Sequence, residues 1–362
     1  MVYKVIGIMS GSSLDGIDIV YTELQEHAGR WQYEIQHAEC VPYDKKWIEK
    51  LQQSINFSAK EYLLLHTKYG EFIGRKINGF IDENNLHHQV NLVCSHGHTT
   101  FHLPEKKMTH QLGDGAAIAA ETKLPVVSDL RSIDIAFGGQ GAPIVPLGEK
   151  FLFSQYNYFL NIGGIANLSV HQPGGVIAFD VCAANRVLNM LANEKGFAYD
   201  GEGKMASRGS VNEDLLNKLN TLEYYQLLYP KSLANTYGTD LVYPLLQSSG
   251  ISTEDNLRTY TEHISVQIKN SLRMFKQSHT QHLFITGGGA FNAFLMERLQ
   301  SQLKEINFEI FIPDSETVKY KEALIMSLLG ALRWREQYTI LSSVTGASQN
   351  SIGGALWLGT EA

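Results

Sequence analysis

Six short apolar runs in this chain each deliver small or polar residues into a turn, and that recurrence constrains the fold more than any other feature. Residues 4–9 read as a strand, residues 10–16 as a polar turn, and residues 17–22 as a second strand with Ile17, Ile19 and Tyr21 on one face. The run 90–94 leads into Ser95-His96-Gly97-His98-Thr99-Thr100, read as a loop. The step returns at Val126-Val127-Ser128-Asp129-Leu130-Arg131, at Phe159-Leu160-Asn161-Ile162-Gly163-Gly164, at Val176-Ile177-Ala178-Phe179-Asp180 and at Leu283-Phe284-Ile285-Thr286-Gly287-Gly288-Gly289. Helical periodicity is expected around 59–82, 186–194, 259–277, 290–303 and 321–335. Alternation of this kind predicts an α/β chain with mixed sheets. In open α/β sheets ligands gather where strands end.

A chain of 362 residues is too long for one compact core and fits two domains, so a cleft between them is the expected place for a site. The aperiodic stretch Phe137-Gly138-Gly139-Gln140-Gly141-Ala142-Pro143 suits a crossover or hinge. The expected N-terminal domain is therefore 1–135 plus 337–362, and the expected C-terminal domain is 136–336. Residues 6–20 are echoed weakly by 159–170, each a strand-turn-strand with a glycine-containing tip. A formal charge of -7, with no clustering of Lys and Arg, argues against nucleic acid or an anionic membrane as partner. Three cysteines, Cys40, Cys94 and Cys182, lack close pairing and suit a reducing cytosol. No secretion signal or bilayer-length apolar run is evident, so a cytoplasmic location is expected.

Glycine at a hairpin tip exposes backbone N–H groups with no Cβ in the way, which close approach to phosphate requires. The tip Gly11-Ser12-Ser13-Leu14-Asp15-Gly16 is thus either an ordinary tight turn or a phosphate cradle. Asp15 and Asp18 beside it favour the cradle, because metal held next to phosphate needs hard oxygen ligands, directly or through water; either is equally a turn-forming Asp. The turn Ile162-Gly163-Gly164-Ile165-Ala166-Asn167 would face the first across a cleft, and Gly287-Gly288-Gly289-Ala290-Phe291-Asn292 joins a strand to a helix whose amides favour a phosphate or nucleotide edge. Asp180 is read at the end of its strand as a general base in preference to a helix cap, since a charge on an apolar strand is costly without a use. Glu322 falls in the first turn of its expected helix, where the dipole favours it regardless of function. His98 and His102 have the spacing of helical zinc ligands, but the segment with Gly97 makes a helix doubtful. Arg131 either binds an anion or sugar oxygen or pairs with Asp129 or Asp134.

Taken together, the run from Gly7 to Asp18, Ser95-His96-Gly97-His98-Thr99, Gly138-Gly139-Gln140-Gly141-Ala142-Pro143, Asn161 to Leu168, Gly287 to Asn292 and Ser343-Val344-Thr345-Gly346-Ala347 resemble the anhydro-N-acetylmuramic acid kinases, in the right order over nearly the whole chain. The resemblance implies the actin-like ATPase fold shared by sugar kinases, heat-shock chaperones and actin, with two domains around an ATP cleft. It implies that ATP, with Mg2+, is used to open the 1,6-anhydro ring of 1,6-anhydro-N-acetylmuramic acid with water and phosphorylate its 6-oxygen. By that likeness Asp180 is the catalytic base, Thr99, Arg131 and Glu322 contact the sugar, and Asp15 and Asp18 hold magnesium, in part through water. Gly11, Ser12, Ser13, Leu14, Asp15, Gly16, Asp18, Asn161, Gly163, Gly164, Asn167, Gly287, Gly288, Gly289 and Asn292 would hold ATP. A homodimer is left open. Three segments depart from the family pattern, one of them His-Gly-Gln-Thr, which becomes His96-Gly97-His98-Thr99. Thr-Gly-Pro-Gly-Asn after the catalytic Asp becomes Val181-Cys182-Ala183-Ala184-Asn185, and Pro-Lys-Ser-Thr-Gly-Arg-Glu becomes Pro230-Lys231-Ser232-Leu233-Ala234-Asn235-Thr236. Such changes leave room for a kinase of another amino sugar, or for an actin-fold ATPase with a chaperone or regulatory role.

Overall fold

The computed structural model describes residues 1–11, 14–229, 231–234, 236–275 and 279–359, arranged in two compact units, 1–154 with 320–362 and 155–319. The first unit opens with the strands β1 (Val2–Ser10), β2 (Gly16–His27) and β3 (Arg30–Pro42), joined as an antiparallel meander. β4 (Leu92–Leu103) returns parallel to β1 after the helix Ala59–Glu83, carries the antiparallel β5 (Met108–Leu112), and is followed by the parallel β6 (Val126–Ser128). The main path through the sheet is therefore β3-β2-β1-β4-β6, closed at its edge by the short strand Ala355–Trp357. Ser58 begins the long helix with a capping box to Glu61, and Leu65, Tyr69, Ile73 and Ile77 at helical spacing bury one face with Ile6, Ile8, Ile17 and Ile19.

The second unit repeats the plan. β7 (Tyr158–Ile162), β8 (Ile165–Gln172) and β9 (Gly175–Ala183) are antiparallel, and β10 (Gln281–Thr286) and β11 (Phe308–Phe311) are parallel to β7, giving β9-β8-β7-β10-β11. Its core joins Leu160, Leu168, Val181 and Leu283 to Leu257, Tyr260, Ile264 and Ile268 of the helix Thr253–Arg273. In each unit the third, second, first, fourth and fifth strands of the main path lie side by side with the same directions. This duplicated plan is the actin-like fold. The weak echo between residues 6–20 and 159–170 is the two central hairpins, β1-β2 and β7-β8.

The units divide at 154/155 and 319/320, not at the expected 135/136 and 336/337. The Gly/Pro stretch lies inside the first unit: Asp134 accepts hydrogen bonds from Gly141 N and Thr345 Oγ1, each at 2.7 Å. The expected helix over 321–335 in fact starts at Ser315, because Asp314 accepts from Thr317 N at 2.9 Å and caps it. From Tyr320 onward this helix belongs to the first unit. It presses onto β1 so closely that a Cβ on Gly7 would stand 2.0 Å from Ala323 O and 2.4 Å from Ser327 Oγ. Lys321, on the same helix, forms a buried ion pair with Glu149 of the helix Val145–Leu152 at 2.9 Å.

Gly7→Ala should therefore destabilise the protein by roughly 1–3 kcal/mol or more, since backbone and a buried hydroxyl must both shift. The check is the urea midpoint, which should fall with the slope unchanged; a midpoint equal to the parent's would contradict this packing.

Candidate active site

In the first unit the turn after β1 is anchored from below. Ser10 is buried at the strand end, its Oγ 2.7 Å from Tyr43 Oη and 3.3 Å from His98 Nδ1, and it accepts from Tyr69 Oη at 3.0 Å. Tyr43 N donates to Asp15 O at 3.2 Å, fixing the far side of the turn. Leu14 takes the left-handed conformation at φ 60°, as the reversal requires. Ser12 and Ser13 lie outside the described residues.

Asp18 stands on β2 in register with Cys40 of β3. Burial pushes its carboxyl up to about 6; the Cys40 thiol opposes the shift by hydrogen bonding, and the charges of Glu322 and Asp15 add to it. Glu322 is in the third turn of its helix, not the first, so the helix dipole does not account for it. Burial raises its pKa, while the neighbouring charges of Lys321 and Arg131 pull the other way. Arg131 follows β6 and completes the group. Its Nε donates to His96 Nε2 at 2.9 Å and its Nη1 to Gly141 O at 2.6 Å. Burial lowers the guanidinium to about 10, with Glu322 and Asp134 opposing, so it stays cationic at neutral pH. His96 is buried and held down to about 3, hence neutral; its Nδ1 lies 2.9 Å from Gly97 O, which places the proton there and leaves Nε2 as the acceptor for Arg131. Arg131 thus pairs with neither Asp129 nor Asp134 among the described residues. Asp129 instead accepts from Ser132 Oγ at 2.5 Å.

In the second unit Asp180 sits within β9, which runs on to Ala183, so it is not at a strand end. Val181, Cys182 and Ala183 extend the strand because all three are buried in the core. Asp180 Oδ2 accepts from Leu233 N at 2.8 Å and Ser232 Oγ at 3.1 Å, and its main-chain O accepts from Tyr224 Oη at 2.6 Å. Oδ1 takes no hydrogen bond among the described residues. Burial raises the Asp180 pKa, against the Leu233 amide and the Ser232 hydroxyl. A carboxylate held by one oxygen, with a raised proton affinity, is equipped to take a proton at the other.

The second and third glycine turns meet in this unit. A Cβ on Gly289 would stand 2.3 Å from Ile162 Cγ2, and one on Gly287, which has φ 83°, would stand 2.6 Å from Asn161 Oδ1. Only glycine permits that approach. Asn185 braces the second turn, its Nδ2 donating to Ile162 O at 3.1 Å and its N to Gly163 O at 3.0 Å.

The structure thus gathers Asp15, Asp18, Glu322 and Arg131 in one unit, and Asn161, Gly163, Gly164, Gly287, Gly288 and Gly289 in the other. It does not gather all that the sequence suggested. Thr99 is exposed on β4, its Oγ1 3.4 Å from Gln111 Nε2, and the whole segment 95–100 is strand, paired in part with β5, not loop. His98 and His102 share that strand, so the helical spacing of a zinc pair does not arise. Asn292 Oδ1 accepts from Leu295 N at 3.0 Å and caps the helix Ala293–Leu303. Asn167 lies on β8 opposite Asp180. The sequence reading assigns no role to the supports His96, Tyr43, Tyr69, Ser232 and Asn185; the motifs containing His96, Ser232 and Asn185 point to their neighbourhoods, and nothing local points to Tyr43 or Tyr69.

Two units of repeated plan, one with a glycine turn beside acidic groups and the other with a held carboxylate, define an actin-like protein of the kinase class. The family model for anhydro-N-acetylmuramic acid kinase matches residues 3–359. A Vibrio parahaemolyticus protein named anhydro-N-acetylmuramic acid kinase is 32% identical over 370 residues, covering 97% of each chain. One of the same name from Bacillus cereus is 30% identical over 371 residues, covering 96% of this chain and 97% of that one. Among solved structures, component A of the (R)-2-hydroxyglutaryl-CoA dehydratase of Acidaminococcus fermentans superposes with a TM-score of 0.47 at 13% identity, covering 91% of this chain and 97% of that one. The chain belongs to the anhydro-N-acetylmuramic acid kinase family. No helix among the described residues is long and apolar enough to cross a membrane.

Asp18 has a folded pKa of about 6, above its unfolded value near 3.9. A carboxyl raised in this way costs stability where it is ionised, so the cost is full above the folded pKa and vanishes below the unfolded one. Asp18→Asn should melt above the parent near about pH 8 and converge with it by about pH 4. A melting difference that stays constant over that range would contradict the environment described for Asp18.

Proposed function

We propose that this chain uses ATP and water to convert 1,6-anhydro-N-acetylmuramic acid to N-acetylmuramic acid 6-phosphate, with Asp180 as the general base. The observation that carries the reading is the Asp180 carboxylate, clamped through Oδ2 and with Oδ1 left to accept, in a chain of this family. Oδ1 takes a proton from water as the water oxygen bonds to the anomeric carbon. The bond from that carbon to the bridging 6-oxygen breaks, and its electron pair stays on the 6-oxygen. That oxygen then attacks the γ-phosphorus, and the bond to the β,γ-bridging oxygen breaks with its pair leaving on ADP. The first half follows inverting glycoside hydrolysis and the second an in-line phosphoryl transfer.

The glycine turns are the proposed phosphate seats. Gly11, Leu14, Asp15 and Gly16 of the first unit and Gly163, Gly164, Gly287, Gly288 and Gly289 of the second would hold phosphate through backbone amides. Ser12, Ser13, Asn161, Asn167 and Asn292 belong to the same assignment, with Asn292 acting through the helix it caps. Magnesium fits Asp15 and Asp18. A carboxyl raised by burial, and further by its acidic neighbours Glu322 and Asp15, is the donor that a cation would restore to its ionised form. Bound there, directly or through water, the ion would neutralise charge on the phosphates. Arg131 and Glu322, with Thr99, are the proposed sugar contacts, Arg131 aimed by His96 and Gly141. An ATP-consuming reaction on a small sugar implies the cytosol as the working compartment.

Turnover in oxygen-18 water should place one solvent oxygen on the anomeric carbon of the product and none in the transferred phosphoryl group. Asp180→Asn should cut sugar-dependent ADP release by about 10²–10⁴-fold, the range for losing a general base. Full sugar-dependent ADP release by Asp180→Asn, or product formed without the label, would overturn the reading.

A further inference from the structure

Asp180 and Lys231 are neighbours through the backbone, Asp180 N donating to Lys231 O at 3.2 Å. Opposite charges placed this way would ordinarily close an ion pair. They do not: the Asp180 carboxylate is turned to Ser232 Oγ and Leu233 N, while Lys231 Nζ lies 3.4 Å from Tyr224 O and 4.6 Å from the centre of the Tyr224 ring. Tyr224 Oη in turn donates to Asp180 O at 2.6 Å. One tyrosine therefore supports both groups and holds the ammonium on its own seat, away from the base. Lys231 is half-buried, and no carboxylate among the described residues lies within ion-pair distance of it. Burial lowers its pKa accordingly. A carbonyl and a ring face satisfy only part of an ammonium that carries three donors. Such a cation is a ready acceptor for an anion that arrives with a ligand.

We propose that Lys231 is the receptor for the lactyl carboxylate of the sugar, the group that distinguishes 1,6-anhydro-N-acetylmuramic acid from neutral 1,6-anhydro-N-acetylglucosamine; the assignment rests on the reaction proposed above. Its main chain is one hydrogen bond from that of Asp180, the proposed base. In this unit the phosphate seats are assigned to the glycine turns at 163–164 and 287–289. Pairing Lys231 with Asp180 would have lowered the proton affinity of the base, so keeping the two apart serves both roles.

The test is calorimetric titration of the full-length protein with both anhydrosugars, for the parent, Lys231→Met and Lys231→Arg, with the KM for ATP measured alongside. The parent should prefer the acidic sugar by about 10-fold or more, the scale of one charge-assisted hydrogen bond. Lys231→Met should bring that ratio near one by weakening the acidic sugar alone and should leave the KM for ATP unchanged, and Lys231→Arg should keep most of the preference. Lys231→Gln replaces the Met variant if that one melts early. A ratio that survives in the Met or Gln variant, equal weakening of both sugars, or a raised KM for ATP in place of the sugar effect would overturn the assignment while leaving the reaction standing. A parent protein that binds neither sugar would overturn the reaction, and the assignment with it.

Discussion

The close seating of the helix Ser315–Trp334 on β1 is the contact on which much of the first unit depends. Gly7 leaves no side chain where the helix meets the strand, and the buried Lys321–Glu149 pair fixes the helix against a second one. Breaking one partner of such a pair leaves an uncompensated buried charge, so the arrangement tolerates little drift. From that position Glu322 reaches the field of Asp18 on one side and of Arg131 on the other. The acidic group beside the first glycine turn is thus a consequence of how one helix packs on one strand.

The second unit solves a different problem, how to hold a carboxylate inside a strand. Asp180 lies between buried Phe179 and Val181, where an unsupported charge is expensive. Two donors on Oδ2 cover part of that cost without quenching the group, and Tyr224 secures the main chain behind it. The segment that departs from the family pattern, Val181 to Ala184, is buried in the core. Substituting apolar residues there is therefore a change in packing behind the base. In the departing segment 230–236 the changes begin at Leu233, which reaches Asp180 through its backbone amide, while Ser232, the second donor, matches the family pattern.

Much of this was legible in the sequence. The alternation of apolar runs and small-residue turns gave the mixed α/β plan, and the echo between 6–20 and 159–170 marked the duplicated hairpin. The second and third glycine turns were read as ligand-bearing, and they pack against each other. Three things were hidden, each for a physical reason. β3 is half-exposed with alternating burial, so its pattern is too polar to stand out as a strand. The start of the helix at Ser315 depended on a cap at Asp314 that sits in an otherwise polar stretch. The supports of the site, such as His96 under Arg131 and Tyr43 and Tyr69 under Ser10, join residues 26 to 59 positions apart, and no local spacing announces such pairs.

In the proposed reaction Asp180 acts as an ionised base whose proton affinity is set by burial against two donors. The most direct measurement is the acid limb of the pH dependence of kcat/KM for the anhydrosugar, compared between the parent and Ser232→Ala. Ser232 lowers the Asp180 pKa against the raising effect of burial, so its removal should move that limb to higher pH. An acid limb that stays in place when the Ser232 hydroxyl is removed would contradict the account.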